Sequence, residues 1–178
     1  MAFITNAENP NLDISFKDYL ELNKVVFDWG DSFDTKDWKR LRGIIAPTML
    51  VDYTQIGMRK WDSMSADEFM AMVSHEGFLG DPLVKTQHLI GGTWWEKLSD
   101  TEVIGHHQLR AAHQVYEDSS MTKIRVKGHG HATNELYYRK IDGVWKFAGL
   151  KPRVNWNEYD FDSVFKGMKE LRETETPK

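Results

Sequence analysis

Between residues 85 and 150 the chain falls into long stretches in which apolar and polar side chains largely alternate, and few folds accommodate that much strand in so short a span. The alternation resolves into strands over 85–98, 103–116, 122–141 and 144–150. Ser99-Asp100, Asp118-Ser119-Ser120 and Asp142-Gly143 separate them, and Asp-Gly is the sharpest hairpin signal of the three. Links this short join antiparallel neighbours, so the segment reads as a meander of long hairpins. Six glycines fall inside these strands, from Gly91 to Gly149, where bulges and strong coiling are tolerated. A bent sheet with helices across its open side is a cone, and the inside of a cone is a pocket.

The flanking segments supply the helices. Ser15 with Asp18 three residues on is a capping pair, and Phe16, Tyr19, Leu20, Asn23, Phe27 and Gly30 recur at helical spacing as an expected core stripe. Asp31-Ser32-Phe33-Asp34 reads as a turn, and a short second helix follows from about Thr35 through Trp38, Leu41 and Ile45. A strand is expected over 49–54. Ser65 and Glu68 form the clearest capping box in the chain, opening a helix to about Ser74, and Gly80-Asp81-Pro82 breaks the chain after it. Phe161, Val164, Phe165, Met168 and Leu171 predict a closing helix. Helices, then a meander, then a helix specify an α+β domain. Its expected limits are 14–172, with a polar arm at 1–13 and a polar tail at 173–178.

With 178 residues there is room for one core. The absence of cysteine excludes disulfide scaffolds, zinc ribbons and thiol nucleophiles. With 23 Lys and Arg against 27 Asp and Glu, the net charge is −4, which argues against a nucleic-acid partner. No apolar run reaches the ~20 residues of a membrane helix, and the N-terminus does not read as a signal peptide, so an intracellular, cytoplasmic address is the default expectation. Neither a phosphate loop nor a dinucleotide fingerprint is present.

Strand parity selects the candidate residues. The apolar face of 103–116 carries His107 and His113 with Leu109 and Ala111. The apolar face of 122–141 carries Asn134, while Arg125, Lys127, His129, His131, Thr133 and Glu135 take the opposite, solvated face. His88 lies between Thr86 and Ile90. An inward histidine or asparagine is, taken singly, more often a satisfied core group. His129-x-His131 has metal-like spacing, but its cationic neighbours disfavour a metal, and none is expected. His106 and His75 read as surface or helix-end groups, Asp34 as a helix-start residue, and Trp94-Trp95 as one interface and one core residue. Several inward polar groups on a bent sheet suit proton-transfer chemistry.

These segments resemble scytalone dehydratases, the fungal enzymes of dihydroxynaphthalene melanin synthesis. The resemblance is carried by Asp31-Ser32-Phe33-Asp34-Thr35-Lys36-Asp37-Trp38, Ile45-Ala46-Pro47-Thr48, Gly80-Asp81-Pro82, Gln87-His88-Leu89-Ile90-Gly91-Gly92-Thr93, Val103-Ile104-Gly105-His106-His107-Gln108-Leu109-Arg110 and the stretch from Lys140 to Pro152. It spans about 14–165. It implies a cone-shaped barrel of the nuclear-transport-factor-like type, a homotrimer without metal or organic cofactor, and removal of water from scytalone and vermelone. By position it implies His88 and His113 as catalytic histidines and Asp34 as the partner of His113. Tyr53 would be one of two tyrosines holding a carbonyl-polarising water, and Asn134 a substrate ligand. The second tyrosine is Phe33 here, and a pocket serine is Ala132, so two hydroxyls are missing.

On that resemblance the chain is expected to dehydrate a β-hydroxy ketone, with His88 and His113 as an undivided base and acid pair. Met72, Phe78, Leu150, Pro152, Val154, Phe161 and Phe165 would wall in a small aromatic polyketide, beneath the C-terminal helix as lid. Phe33 and Ala132 keep two alternatives open: a related dehydratase, decarboxylase or cyclase for another aromatic polyketide, and a non-catalytic binding protein on the same fold.

Overall fold

The structure is a computed structural model that describes residues 13–165. It opens with helix α1 (Phe16–Thr35), capped by Ser15, whose hydroxyl accepts from the Asp18 backbone N–H at 3.1 Å. The face that packs inward is Leu22, Val25, Val26, Trp29 and Phe33. The expected stripe is largely the other face: Phe16 is 75 % exposed and Phe27 64 %, with Tyr19 and Leu20 exposed beside them. Both sets repeat at helical spacing, and only the sheet beneath decides which is buried.

The expected turn at 31–34 is instead the last turn of α1. Arg40 donates to Ser32 Oγ at 2.9 Å and pairs with Asp31, which ties these residues to the next helix. The helix stops one step later, where Lys36 turns left-handed at φ 57°. Asp37 then caps α2 (Trp38–Ile44) through the Arg40 backbone N–H.

Strand β1 (Ile45–Asp52) begins and ends earlier than the sequence indicates, leaving Tyr53 just past its end, ahead of a 3-10 turn at Thr54–Ile56. Strand β2 (Lys60–Ser65) has no legible pattern, because it is a polar edge strand paired on one side only. Helix α3 (Ala66–Val73) starts at the expected capping box, with Ser65 and Glu68 bonded reciprocally.

The meander follows as β3 (Val84–Lys97), β4 (Glu102–Tyr116), β5 (Ile124–Ile141) and β6 (Val144–Lys151), all within two residues of the expected bounds. Strand β7 (Val154–Tyr159), which the sequence does not signal, pairs with the first half of β5. The sheet runs β2-β1-β6-β5-β4-β3, curved and unclosed. It is antiparallel apart from β1 and β6, which run parallel. Where β6 gives way to β7, Thr133 and Arg153 exchange two backbone hydrogen bonds, of 2.9 and 3.2 Å. So β5 borders two strands in succession along one edge, and the sheet bends there. Glu135, expected on a solvated face, is buried at this bend, paired with Arg153 and accepting from the Tyr137 hydroxyl.

The core lies between α1, α3 and the concave face, with Leu22, Leu41, Phe69, Val73, Leu136 and Phe147 fully buried. Gly30 lets α1 approach β3 closely: a Cβ there would sit 3.3 Å from the Cβ of His88. After β7 the chain turns through a 3-10 turn, Phe161–Ser163. Met168 and Leu171 of the expected closing helix lie outside the described residues. Among the described residues no helix is long and apolar enough to cross a membrane.

Candidate active site

The concave face encloses a cavity of about 630 Å³. Its floor follows from the register of β4 against β5: Leu109 faces Ala132, Ala111 faces Gly130 and His113 faces Gly128. One parity thus delivers Leu109, Ala111 and His113 from one strand and Gly130, Ala132 and Asn134 from the other. On β3, His88 sits opposite Ala111 and joins the same face. Its ring centroid lies 6.3 Å from that of His113, nearly perpendicular.

Asp34 stands behind His88 rather than on the cavity wall. Its Oδ1 accepts from His88 Nδ1 and from the Thr86 hydroxyl, both at 2.7 Å, and its Oδ2 accepts from the His88 backbone N–H at 2.8 Å. This corrects the expected Asp34–His113 pairing. Asp34 lies in the last turn of α1, α1 crosses β3, and β3 supplies all three donors. His113, one strand further on, bonds through Nδ1 to the Gly128 carbonyl at 3.2 Å.

The two histidines therefore differ electrostatically. Burial alone would raise the Asp34 carboxyl, but the hydrogen bonds and charge of His88, with Thr86, outweigh it and hold it below its usual value. Asp34 stays ionised and keeps a proton on His88 Nδ1, leaving Nε2 with its lone pair. For His113, burial pushes the pKa down to about 3, with His88 adding repulsion. A carbonyl only accepts, so His113 Nδ1 carries the proton, its Nε2 is also bare, and the ring is neutral at pH 7.

Tyr53 lines the cavity and is buried, which raises its pKa and keeps the hydroxyl protonated as a donor. Asn134 is 4 % exposed, and its Oδ1 has no hydrogen-bond partner among the described residues. Phe33 and Ala132 both line the cavity without contributing a polar atom. Phe78, Leu150, Pro152, Val154, Phe161 and Phe165 complete the expected apolar wall. Met72 does not: it packs against the core from α3 and is absent from the lining. Phe161 and Phe165 meet the His113 ring edge-on at 5.6 and 5.0 Å. Gly128 permits this approach, since a Cβ there would lie 2.4 Å from the Phe161 Cα.

Sequence reasoning missed several lining residues. Trp29 precedes Phe33 by one helical turn, and the buried spacing of α1 was the available signal. Gln55, Ile56 and Gly57 come from an irregular loop, and Asn157 from the unpatterned β7. His129 and His131, with their metal-like spacing, face β7 instead. His131 stacks on Trp156 at 4.5 Å, and His129 meets Tyr159 edge-on at 5.2 Å. Inward-facing His107 does not reach the cavity: it bonds Thr93 and Tyr138 at 3.0 Å each, away from it.

A family model described as scytalone dehydratase matches residues 13–172. Among similar proteins, a scytalone dehydratase of Aspergillus fumigatus is 69 % identical over 162 residues, covering 91 % of this chain and 96 % of that protein. A scytalone dehydratase of Pyricularia oryzae is 54 % identical over 158 residues, 89 % and 92 % of the two chains. Of solved structures, the hexachlorocyclohexane dehydrochlorinase LinA-type3 of Novosphingobium barchaimii superposes with a TM-score of 0.66 at 17 % identity. It covers 80 % of this chain and 90 % of that one. A protein of Kribbella flavida superposes with a TM-score of 0.68 at 14 % identity, over 80 % and 93 %. At such identities the two structures speak to the fold alone.

Proposed function

The chain belongs to the scytalone dehydratase family and is a hydro-lyase, and from that premise we propose that its cavity dehydrates a small aromatic polyketide of the scytalone or vermelone type, with His88 moving the proton. The observation that carries this reading is the Asp34–His88 bond of 2.7 Å, reinforced by Thr86 and the backbone, at the edge of a cavity that has apolar walls and a few polar groups.

In the proposed step, His88 Nε2 takes the proton from the carbon between the ketone and the hydroxyl-bearing carbon. The C–H electron pair becomes the new C=C bond as the C–O bond breaks. The imidazolium returns its proton to the departing hydroxide, so one water leaves and His88 is neutral again. Asp34 stabilises the imidazolium while it exists. His113 cannot supply a standing proton near neutral pH, because burial keeps it neutral. Its bare Nε2 is suited to accept from the substrate hydroxyl and orient it. Tyr53 donates toward the ketone, directly or through water, and Asn134 Oδ1 accepts from a second hydroxyl. The flat apolar walls exclude solvent from the ring, whose aromatisation drives the elimination.

The test is turnover of scytalone by the purified protein, followed by the absorbance change on aromatisation. Wild type turns it over, and His88→Ala falls by about 10³ or more in kcat with an unchanged circular dichroism spectrum. Full activity in that variant overturns the assignment.

The same reading includes self-association as a homotrimer. Leu89, Trp94 and Trp156 are exposed on the face of the sheet opposite the cavity, where contact with another copy would cover them. Light scattering on the eluting protein should give three times the chain mass, and a monomer at micromolar concentration removes this part.

A further inference from the structure

The cavity wall contains a donor that the proposed chemistry does not use. Trp29 is 3 % exposed, lines the cavity, and its indole Nε1–H has no hydrogen-bond partner among the described residues. A buried donor of this kind is uncommon and costs stability unless something meets it. Packing fixes the ring: it stands edge-on to His88 at 5.3 Å and to Phe33 at 5.5 Å, and tilts against Phe147 at 6.0 Å. It is therefore a rigid donor beside the proposed base, on a side of the cavity where Phe33 offers no polar atom.

Two comparisons within the molecule sharpen this. Trp95 also has a buried, unpartnered Nε1, but it packs against His107 and Tyr138 and does not reach the cavity. Asn134 Oδ1 is the complementary case, a buried acceptor without a partner that does line the cavity. Two residues of the cavity lining thus each carry an unmet polar atom, a donor on Trp29 and an acceptor on Asn134. A ligand that fills the cavity well carries an oxygen for Trp29 and a hydroxyl for Asn134, as a hydroxylated aromatic ketone does.

We infer that the Trp29 indole N–H is a substrate-binding donor, bonding an oxygen substituent of the aromatic ligand next to His88. This rests on the function proposed above and adds a recognition group to it. Trp29→Phe keeps an aromatic ring but removes the pyrrole half of the indole together with its N–H, so the wild-type cross-peak is needed to separate a lost hydrogen bond from lost packing. The probe is the trihydroxynaphthalene formed when scytalone loses water, titrated anaerobically by calorimetry and against the indole ¹H–¹⁵N cross-peaks of the full chain.

The expected result is about tenfold weaker binding to Trp29→Phe, a downfield move of the Trp29 cross-peak in wild type, and wild-type affinity in Trp95→Phe. A stationary cross-peak with equal affinity in Trp29→Phe overturns the inference while wild-type turnover of scytalone leaves the function standing. Wild type that neither turns over scytalone nor binds the naphthol overturns the function and, with it, the ligand class assigned to Trp29. Should Trp29→Phe fail to fold, the wild-type cross-peak decides alone.

Discussion

Asp34 gathers three donors from one strand, so its carboxylate orients a ring and also pins α1 to β3. Asp34→Asn should lower kcat by about 10²–10⁴ with little change in KM, because an amide no longer enforces the Nδ1–H tautomer or stabilises an imidazolium. Steady-state kinetics on scytalone check this, and a loss confined to KM speaks against the dyad. Strand parity already marked His113 and Asn134 as inward. It could not mark the partner of Asp34, because that depends on which strand the end of a helix crosses. The same limit hid Trp29, whose significance comes from an unmet N–H rather than from its residue type.

Among the elements, α1 shows how an amphipathic pattern can be read on the wrong face. Leu22, Val25, Val26, Trp29 and Phe33 repeat as regularly as Phe16, Tyr19, Leu20 and Phe27, and the sheet selects the first set. Helix α3 is the opposite case, since a capping box is a local device and was legible. Ser65→Ala should cost about 1 kcal/mol in urea unfolding and leave KM unchanged, as α3 packs away from the cavity lining. The C-terminal segment lies on Gly128 so closely that Gly128→Ala must displace Phe161. That change should raise KM about tenfold or more by opening the wall beside His113, with a smaller effect on the far-ultraviolet spectrum.

At the scale of the molecule, two histidines are buried without charge. Burial takes His113 to about 3 and His107 to about 4, against 6.5 for the free side chain. Between these values the unfolded chain binds more protons than the folded one. Stability is therefore full above about pH 6.5 and falls as the pH drops toward the folded values, by up to about 1.4 kcal/mol per pH unit for each histidine. Urea midpoints between pH 7 and pH 4 should show this slope, and His107→Gln should flatten it. An unchanged slope in that variant would place the acid sensitivity elsewhere. The slope, not the absolute stability, is the readout, since His107 also bonds Thr93 and Tyr138.

The meander, its turns, the inward parity of His113 and Asn134 and the capping box of α3 are legible along the chain, because each is set by near neighbours. The sequence also carried, through its resemblance, the family and the histidines at the site. Tertiary structure alone decided which face of α1 is buried, that 31–34 continue the helix, and that Asp34 serves His88. It alone turned Glu135 inward and brought β7 alongside β5, left Met72 off the wall and gave Trp29 a place on it. Those outcomes depend on how separate elements meet, as where the end of α1 crosses β3 or β7 lies along β5, and no pattern within one element encodes that.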